Sequence, residues 1–172
     1  MLADVLLADG PDPRHADALM LFGRFVGEWE LDWTGYGPDG EQTMTERGEW
    51  IFGWVLEGRA VQDVWILPVR DQGTGGIDPS RKTHGTTLRV WDATLKAWRV
   101  TWISPLTGAR VDLVGRWSGK DVVQVGVLPN GAPTRWIFSE ITRDSFRWTG
   151  ETLQADGHTW KLEGEFLAKR MD

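Results

Sequence analysis

The chain has no cysteine among its 172 residues. That excludes disulfides, thiolate metal sites and thiol nucleophiles, and leaves the redox compartment undecided. No apolar run approaches the ~20 residues that a membrane-spanning helix needs. Basic residues are outnumbered, with 19 Lys and Arg against 25 Asp and Glu for a formal net charge of −6. A pI near 5.1 is the wrong footprint for a nucleic-acid backbone. The opening Met1-Leu2-Ala3-Asp4-Val5-Leu6-Leu7-Ala8-Asp9 carries acids inside its apolar stretch and no basic leader. It is a poor secretory signal, and a cytoplasmic location is expected. Histidine is scarce: His15, His84 and His158 lie in separate segments, with no carboxylate–His spacing of a metal motif. No metal site and no cofactor are expected from such a set. There is no Gly-rich phosphate loop and no nucleophile elbow.

What is abundant is tryptophan, twelve residues beside a single tyrosine, together with 21 glycines. The length suits one domain able to bury one core: an arm over 1–12, a helix over 13–25 and a sheet over 27–170. Pro13 suits a first helical turn with Asp12 as its cap, and Ala18, Leu21, Phe22 and Phe25 share a helical face. After Gly27 the period changes. Short stretches rich in Val, Ile, Thr and Trp are split by Gly, Pro, Asn and Asp. They predict ten strands, near 27–34, 42–53, 57–67, 85–92, 97–104, 110–117, 122–128, 134–141, 145–153 and 159–169. Nothing resembles a crossover helix, so the sheet is an antiparallel meander. The expected fold is all-β, a closed up-and-down barrel of about ten strands with a short N-terminal helix, because closure removes exposed edges.

Turn chemistry gives registers. The loop around Lys96 sets Trp91 opposite Trp98, Arg89 opposite Val100 and Thr87 opposite Trp102, and Pro105–Gly108 sets Val111 opposite Trp102. Gly119-Lys120, Asn130-Gly131 and Arg143-Asp144 fit two-residue hairpins, and Asp156-Gly157 after Ala155 fits a three-residue loop. Since side chains alternate, each register fixes the face offered by the next strand. The inner face then carries Thr87, Arg89, Trp91, Trp98, Trp102, Gln124, Arg135, Ile137, Ser139, Trp148, Trp160, Leu162 and Phe166. Gly115, Gly126 and Gly150 fall there too, either as strand bends or as space for a ligand. Parity does not orient Trp54 or Trp65, and only the chain of registers places Trp136 outward.

Phe25-Val26-Gly27-Glu28-Trp29 carries a Gly-x-Trp motif directly after a short helix, and Arg170 ends the last strand at inward parity. With Gly58-Arg59-Ala60-Val61-Gln62-Asp63, Leu88-Arg89-Val90-Trp91-Asp92 and Trp98-Arg99-Val100-Thr101-Trp102, these features resemble lipocalin-like barrels of the calycin superfamily. The layout over residues 20–171 is similar to a family of uncharacterised bacterial lipocalin-like proteins. The resemblance implies a barrel with an inner cavity for a small molecule and a basic residue packed across Trp29. It implies no particular reaction.

Arg89 is the most informative polar residue, since a buried guanidinium must meet a partner or an anionic ligand. Its candidate partners are Asp63 and Glu49, and the three together are the candidates for acid–base work. Candidate ligand contacts are Arg59, Gln62, Arg89, Trp91, Trp98, Trp102, Gln124, Arg135, Ser139 and Trp148. Either Arg59 and Asp63 point inward or Gln62 does. Trp29 and Trp160 are expected at the closed end, Trp91 and Trp98 at a rim, and Trp102 and Trp148 deeper. Gly73-Thr74-Gly75-Gly76 lies in a long segment that reads as a mobile lid. The expected function is binding of a small, partly aromatic or acyl ligand, an anionic one included. A cofactor-free cyclase or isomerase in the same cavity is the alternative, and haem binding through His158 or His84 a third. Outward Leu88, Val90, Ile103, Val114, Val123, Val125, Val127, Trp136 and Phe138 form an apolar face that predicts a homodimer anchored by Trp136.

Overall fold

A computed structural model describes residues 1–71 and 77–171. The chain opens with helix α1 (Leu2–Leu6), strand β1 (Leu7–Ala8), a 3-10 turn (Pro13–His15) and helix α2 (Ala16–Gly23). Ten strands follow: β2 (Gly27–Tyr36), β3 (Gln42–Val55), β4 (Ala60–Leu67), β5 (Thr83–Asp92), β6 (Ala97–Ser104), β7 (Ala109–Ser118), β8 (Asp121–Val127), β9 (Pro133–Ser139), β10 (Ser145–Leu153) and β11 (Trp160–Arg170). Each pairs antiparallel with its sequence neighbour, and β2 pairs with β11, so β2 to β11 close into a ten-stranded barrel. The short β1 adds to the free edge of β3 at Trp54 and Val55. The arm is therefore more structured than expected, and the predicted helix is shorter, split after its first turn. Asp12 caps that turn by accepting from Arg14 N at 3.0 Å. No helix among the described residues is long and apolar enough to cross a membrane.

Helix α2 plugs one end. Its Phe22 ring lies 5.1 Å from Trp98 and 6.1 Å from Phe138, and Phe25 lies 4.7 Å from Phe138 and 5.0 Å from Phe146. Leu19, Leu21, Phe22 and Phe25 are buried with Trp29, Trp50, Phe52 and Phe146 in one apolar core. Each such side chain contributes roughly 1.5–3 kcal/mol on burial, which fixes the plug firmly. The packing implied by the Gly-x-Trp motif is present: the Arg170 guanidinium lies 4.1 Å over the Trp29 ring and donates to Val26 O and Arg24 O. Gly27 has φ +131°, and a Cβ there would lie 2.5 Å from Arg170 Nη1, so both conformation and space require glycine.

The registers from Trp91–Trp98 to Val111–Trp102 are as the turns predict. Two later loops are one residue longer than predicted. Leu128 N donates to Ala132 O, making Pro129-Asn130-Gly131 a three-residue loop with Gly131 at φ +87°. β9 is thereby turned over: Thr134, Trp136 and Phe138 face inward opposite Gly126, Gln124 and Val122, while Arg135, Ile137 and Ser139 face outward. The extra residue at Glu140, φ +51°, restores parity, so Phe146, Trp148 and Gly150 point inward as predicted. The second loop repeats the pattern. Gln154 N donates to Thr159 O around four residues, which turns Trp160 and Leu162 outward, and a bulge at Glu163 brings Gly164 and Phe166 back inside. With Trp136 and Phe138 inside, the outer face loses the proposed dimer anchor, leaving Val90, Ile103, Val125 and Val127 exposed on it.

The inward glycines are neither bends alone nor empty space. A Cβ on Gly164 would lie 1.8 Å from Trp33 Cη2, one on Gly150 2.8 Å from Trp148, one on Gly85 2.9 Å from Trp102 and one on Gly115 3.2 Å from Phe22. At these four the missing side chain lets an aromatic ring lie against the wall, whereas at Gly126 a Cβ would meet the Asp112 carbonyl oxygen at 2.3 Å. Gly164→Ala must displace Trp33 and is expected to cost about 1–3 kcal/mol in urea unfolding. Gly53→Ala, whose Cβ meets nothing within 4 Å, is expected to stay within about 0.5 kcal/mol of the parent. Equal unfolding midpoints for the two variants would contradict this reading of the glycines.

Candidate functional site

Above the plug the lumen holds a polar layer, and above that a ring of indoles. Asp63 on β4 faces Thr87 on β5, which faces Trp102 on β6, so carboxylate, hydroxyl and indole share one inward row. That register settles the local orientation: Asp63 points in and Gln62 points out, where its amide donates to Thr86 Oγ1 at 2.9 Å. Arg59 sits in the β3–β4 turn and pairs with Asp12 outside the barrel. Arg89 donates from Nη1 to Asp63 Oδ2, and both side chains are almost wholly excluded from solvent, at 1% and 0% exposed. The guanidinium also lies 4.9 Å over Phe22, 5.4 Å over Phe52 and 5.9 Å over Phe138. The cation is thus neutralised by its neighbour strand rather than held ready for an anion.

Glu49 is not in the lumen. It lies on the outward parity of β3, buried beneath Arg70, which donates its backbone N and its guanidinium to the carboxylate. Burial pushes this carboxyl upward, but the Arg70 hydrogen bonds and charge outweigh it and hold Glu49 below the ordinary glutamate range. Arg135 is likewise outside, bonded to Glu151 and stacked 4.3 Å over Trp160. Trp160 is therefore not closed-end core. Ser139 faces outward beside Arg147. Trp91 and Trp98 stand at the plugged end, Trp98 fully buried beneath Phe22, so they are not a rim. The lid segment Gly73-Thr74-Gly75-Gly76 lies outside the described residues.

The ring at the open half is made by Trp33, Trp65, Trp102, Trp136 and Trp148. Successive centroids are 5.9, 6.3, 6.0, 5.7 and 6.5 Å apart, returning to Trp33. All but Trp148 are only half-buried, so the ring meets solvent at the mouth. An open groove of about 370 Å³ along Asp32, Trp33, Thr34, Thr45, Glu46 and Arg47 reaches its Trp33 side. Of these five, Trp102 and Trp148 were readable from the turns. Trp65 needed the orientation of Asp63. Trp136 needed the three-residue loop, whose signal is Pro129 ahead of Asn130-Gly131, since proline favours the first turn position and glycine the left-handed one.

The lumen also concentrates unpaired polarity. Among the described residues, the buried side-chain atoms without a partner are Asp63 Oδ1, Arg89 Nε, both amide atoms of Gln124, and the indole nitrogens of Trp50, Trp65, Trp98 and Trp102. All lie on inward positions. A buried unsatisfied group costs about 1–3 kcal/mol, so each calls for an account; those on Trp50 and Trp98 lie in the packed core, the others nearer the indole ring. The three histidines are exposed, and none sits on an inward strand position. No cluster of three His, Cys, Asp or Glu able to hold a metal occurs among the described residues.

No protein-family profile matches this chain. No curated protein matches it either. Its fold is similar to that in the crystal structure of Rv2717c from M. tuberculosis, with a TM-score of 0.61 over 94% of this chain and 99% of that one. The two are 13% identical, so the likeness is one of fold. It supports a closed antiparallel barrel with a short N-terminal helix.

The buried pair makes a sharp stability test. Asp63→Leu or Arg89→Met alone leaves a buried charge unpaired and is expected to cost about 3–5 kcal/mol, whereas the double variant is expected near the parent or above it. Chemical unfolding of the three variants checks this. Single variants that cost under about 1 kcal/mol would mean that the pair is solvated rather than buried.

Proposed function

We propose that the barrel binds a small, flat, largely aromatic molecule against the five-indole ring, at the end opposite α2. The observation that supports this most is the pair of unpaired indole N–H groups, on Trp65 and Trp102, within a ring whose other surfaces are apolar. Aromatic walls with a few fixed donors suit flat ligands carrying acceptor oxygens. An acyl chain fits less well, because the plugged half of the lumen is filled by phenylalanine and tryptophan and leaves no long apolar channel there. The proposal is for a binding protein. A catalytic version would have to run on Asp63 and Arg89, since Glu49 lies outside the wall.

The neutral probe N-phenyl-1-naphthylamine tests the site. Titration is expected to brighten the probe and quench tryptophan emission with one-to-one stoichiometry. Trp102→Leu is expected to weaken binding by about tenfold or more, as when a large aromatic side chain is removed from a pocket, with thermal unfolding confirming a folded variant. Trp160→Leu, on the outside of the wall, is expected to leave the affinity unchanged. Binding abolished by Trp160→Leu and retained in Trp102→Leu would place the site elsewhere.

A further inference from the structure

We infer that the inner end of the ligand is a neutral group offering both a hydrogen-bond donor and an acceptor, of the carboxamide or lactam type, rather than a carboxylate. This rests on the lumen-binding reading above and specifies it. Two unpaired polar features lie against the same Phe22 ring. On one side is the Arg89–Asp63 pair, with the guanidinium 4.9 Å over the ring. On the other is Gln124, fully buried, whose Cγ lies beside Gly115 where the Phe22 edge also packs. Gln124 is the cross-strand partner of Trp136, a member of the indole ring.

The free valences carry both signs. Arg89 Nε, the Gln124 amide nitrogen and the Trp102 indole are donors without acceptors. Asp63 Oδ1 and Gln124 Oε1 are acceptors without donors. The formal charge of the layer is zero, because Asp63 already neutralises Arg89. An anion seated here would find donors, but it would also face the free oxygen of Asp63 and stay without a counter-charge in a desolvated chamber. A cation would meet the converse at Arg89. An apolar end would leave every one of these atoms unpaired. A neutral group with a donor and an acceptor is the one that can meet atoms of both sets, and sites built from buried hydrogen-bonding groups reject analogues that lack the matching ones.

Three naphthalenes substituted at the same position separate these cases by tryptophan quenching at neutral pH: 2-naphthamide, its isostere 2-naphthoate, and the smaller apolar 2-methylnaphthalene. The amide is expected to bind at least about tenfold more tightly than either of the others, while Gln124→Met removes that advantage and leaves 2-methylnaphthalene within about twofold of its parent affinity. Near-UV circular dichroism confirms the fold of the variant, and the comparison in the unmodified protein decides the matter even if the variant does not fold. Naphthoate binding as tightly as the amide, or methylnaphthalene doing so, would overturn the inference while leaving lumen binding intact. Failure of all three to bind would overturn the lumen-binding reading itself.

Discussion

A guanidinium and a carboxylate share the middle of this barrel with almost no exposure to water, and the arrangement around them follows from that. Desolvating two charges is expensive, and their attraction repays it only when the remaining valences are also met. Here they are met in part. Three phenylalanine rings lie against the Arg89 cation, while Nε and the second oxygen of Asp63 are buried without a partner. The pair therefore divides the interior. Below it the plug formed by α2 and the Gly-x-Trp end is packed apolar core. Above it the wall is indole, half open to solvent, with donors aimed inward.

Glycine makes the upper half workable. Indoles crowded into a barrel of this width would collide with the opposite wall if they stood upright. At Gly164, Gly150 and Gly85 the absent side chain gives the rings of Trp33, Trp148 and Trp102 a flat seat on the sheet. The rings then pack edge to edge around Phe166, which lies 4.7, 4.8 and 5.1 Å from Trp33, Trp65 and Trp148. The unusual pairing of many tryptophans with many glycines is one design read from two sides.

Much of this was legible in the residues. The ten strands, the closure and the capping by Asp12 follow from alternation and turn chemistry, and the resemblance to lipocalin-like barrels implied the packing of Arg170 on Trp29. The Arg89–Asp63 pair was one of two alternatives, and a register on adjacent strands selected it over Glu49. What escaped was β9 and the start of β11. In both places a loop holds one more residue than its dipeptide suggests, and the difference is taken up further along, by Glu140 in the β9–β10 loop and by a bulge at Glu163 in β11. Parity carried through turns therefore fails locally and recovers, because a bulge carries little signature in sequence. The error fell on the site: Arg135 and Ser139 were read as lumen residues in place of Thr134, Trp136 and Phe138. The role of the glycines also escaped, since nothing in a strand pattern says which ring will lie across a missing side chain.

The most direct test of the account watches the indole N–H groups themselves. In a spectrum of the nitrogen-15-labelled protein, each of the twelve tryptophans contributes one indole signal, assignable by single Trp→Phe substitutions. Adding 2-naphthamide is expected to shift Trp65 and Trp102, whose N–H groups are unpaired. Trp29, whose N–H is already donated to Phe25 O at 2.7 Å beneath the plug, is expected to stay in place. Shifts confined to the outer Trp160 or to Trp117, with Trp65 and Trp102 unmoved, would contradict a ligand seated in the ring.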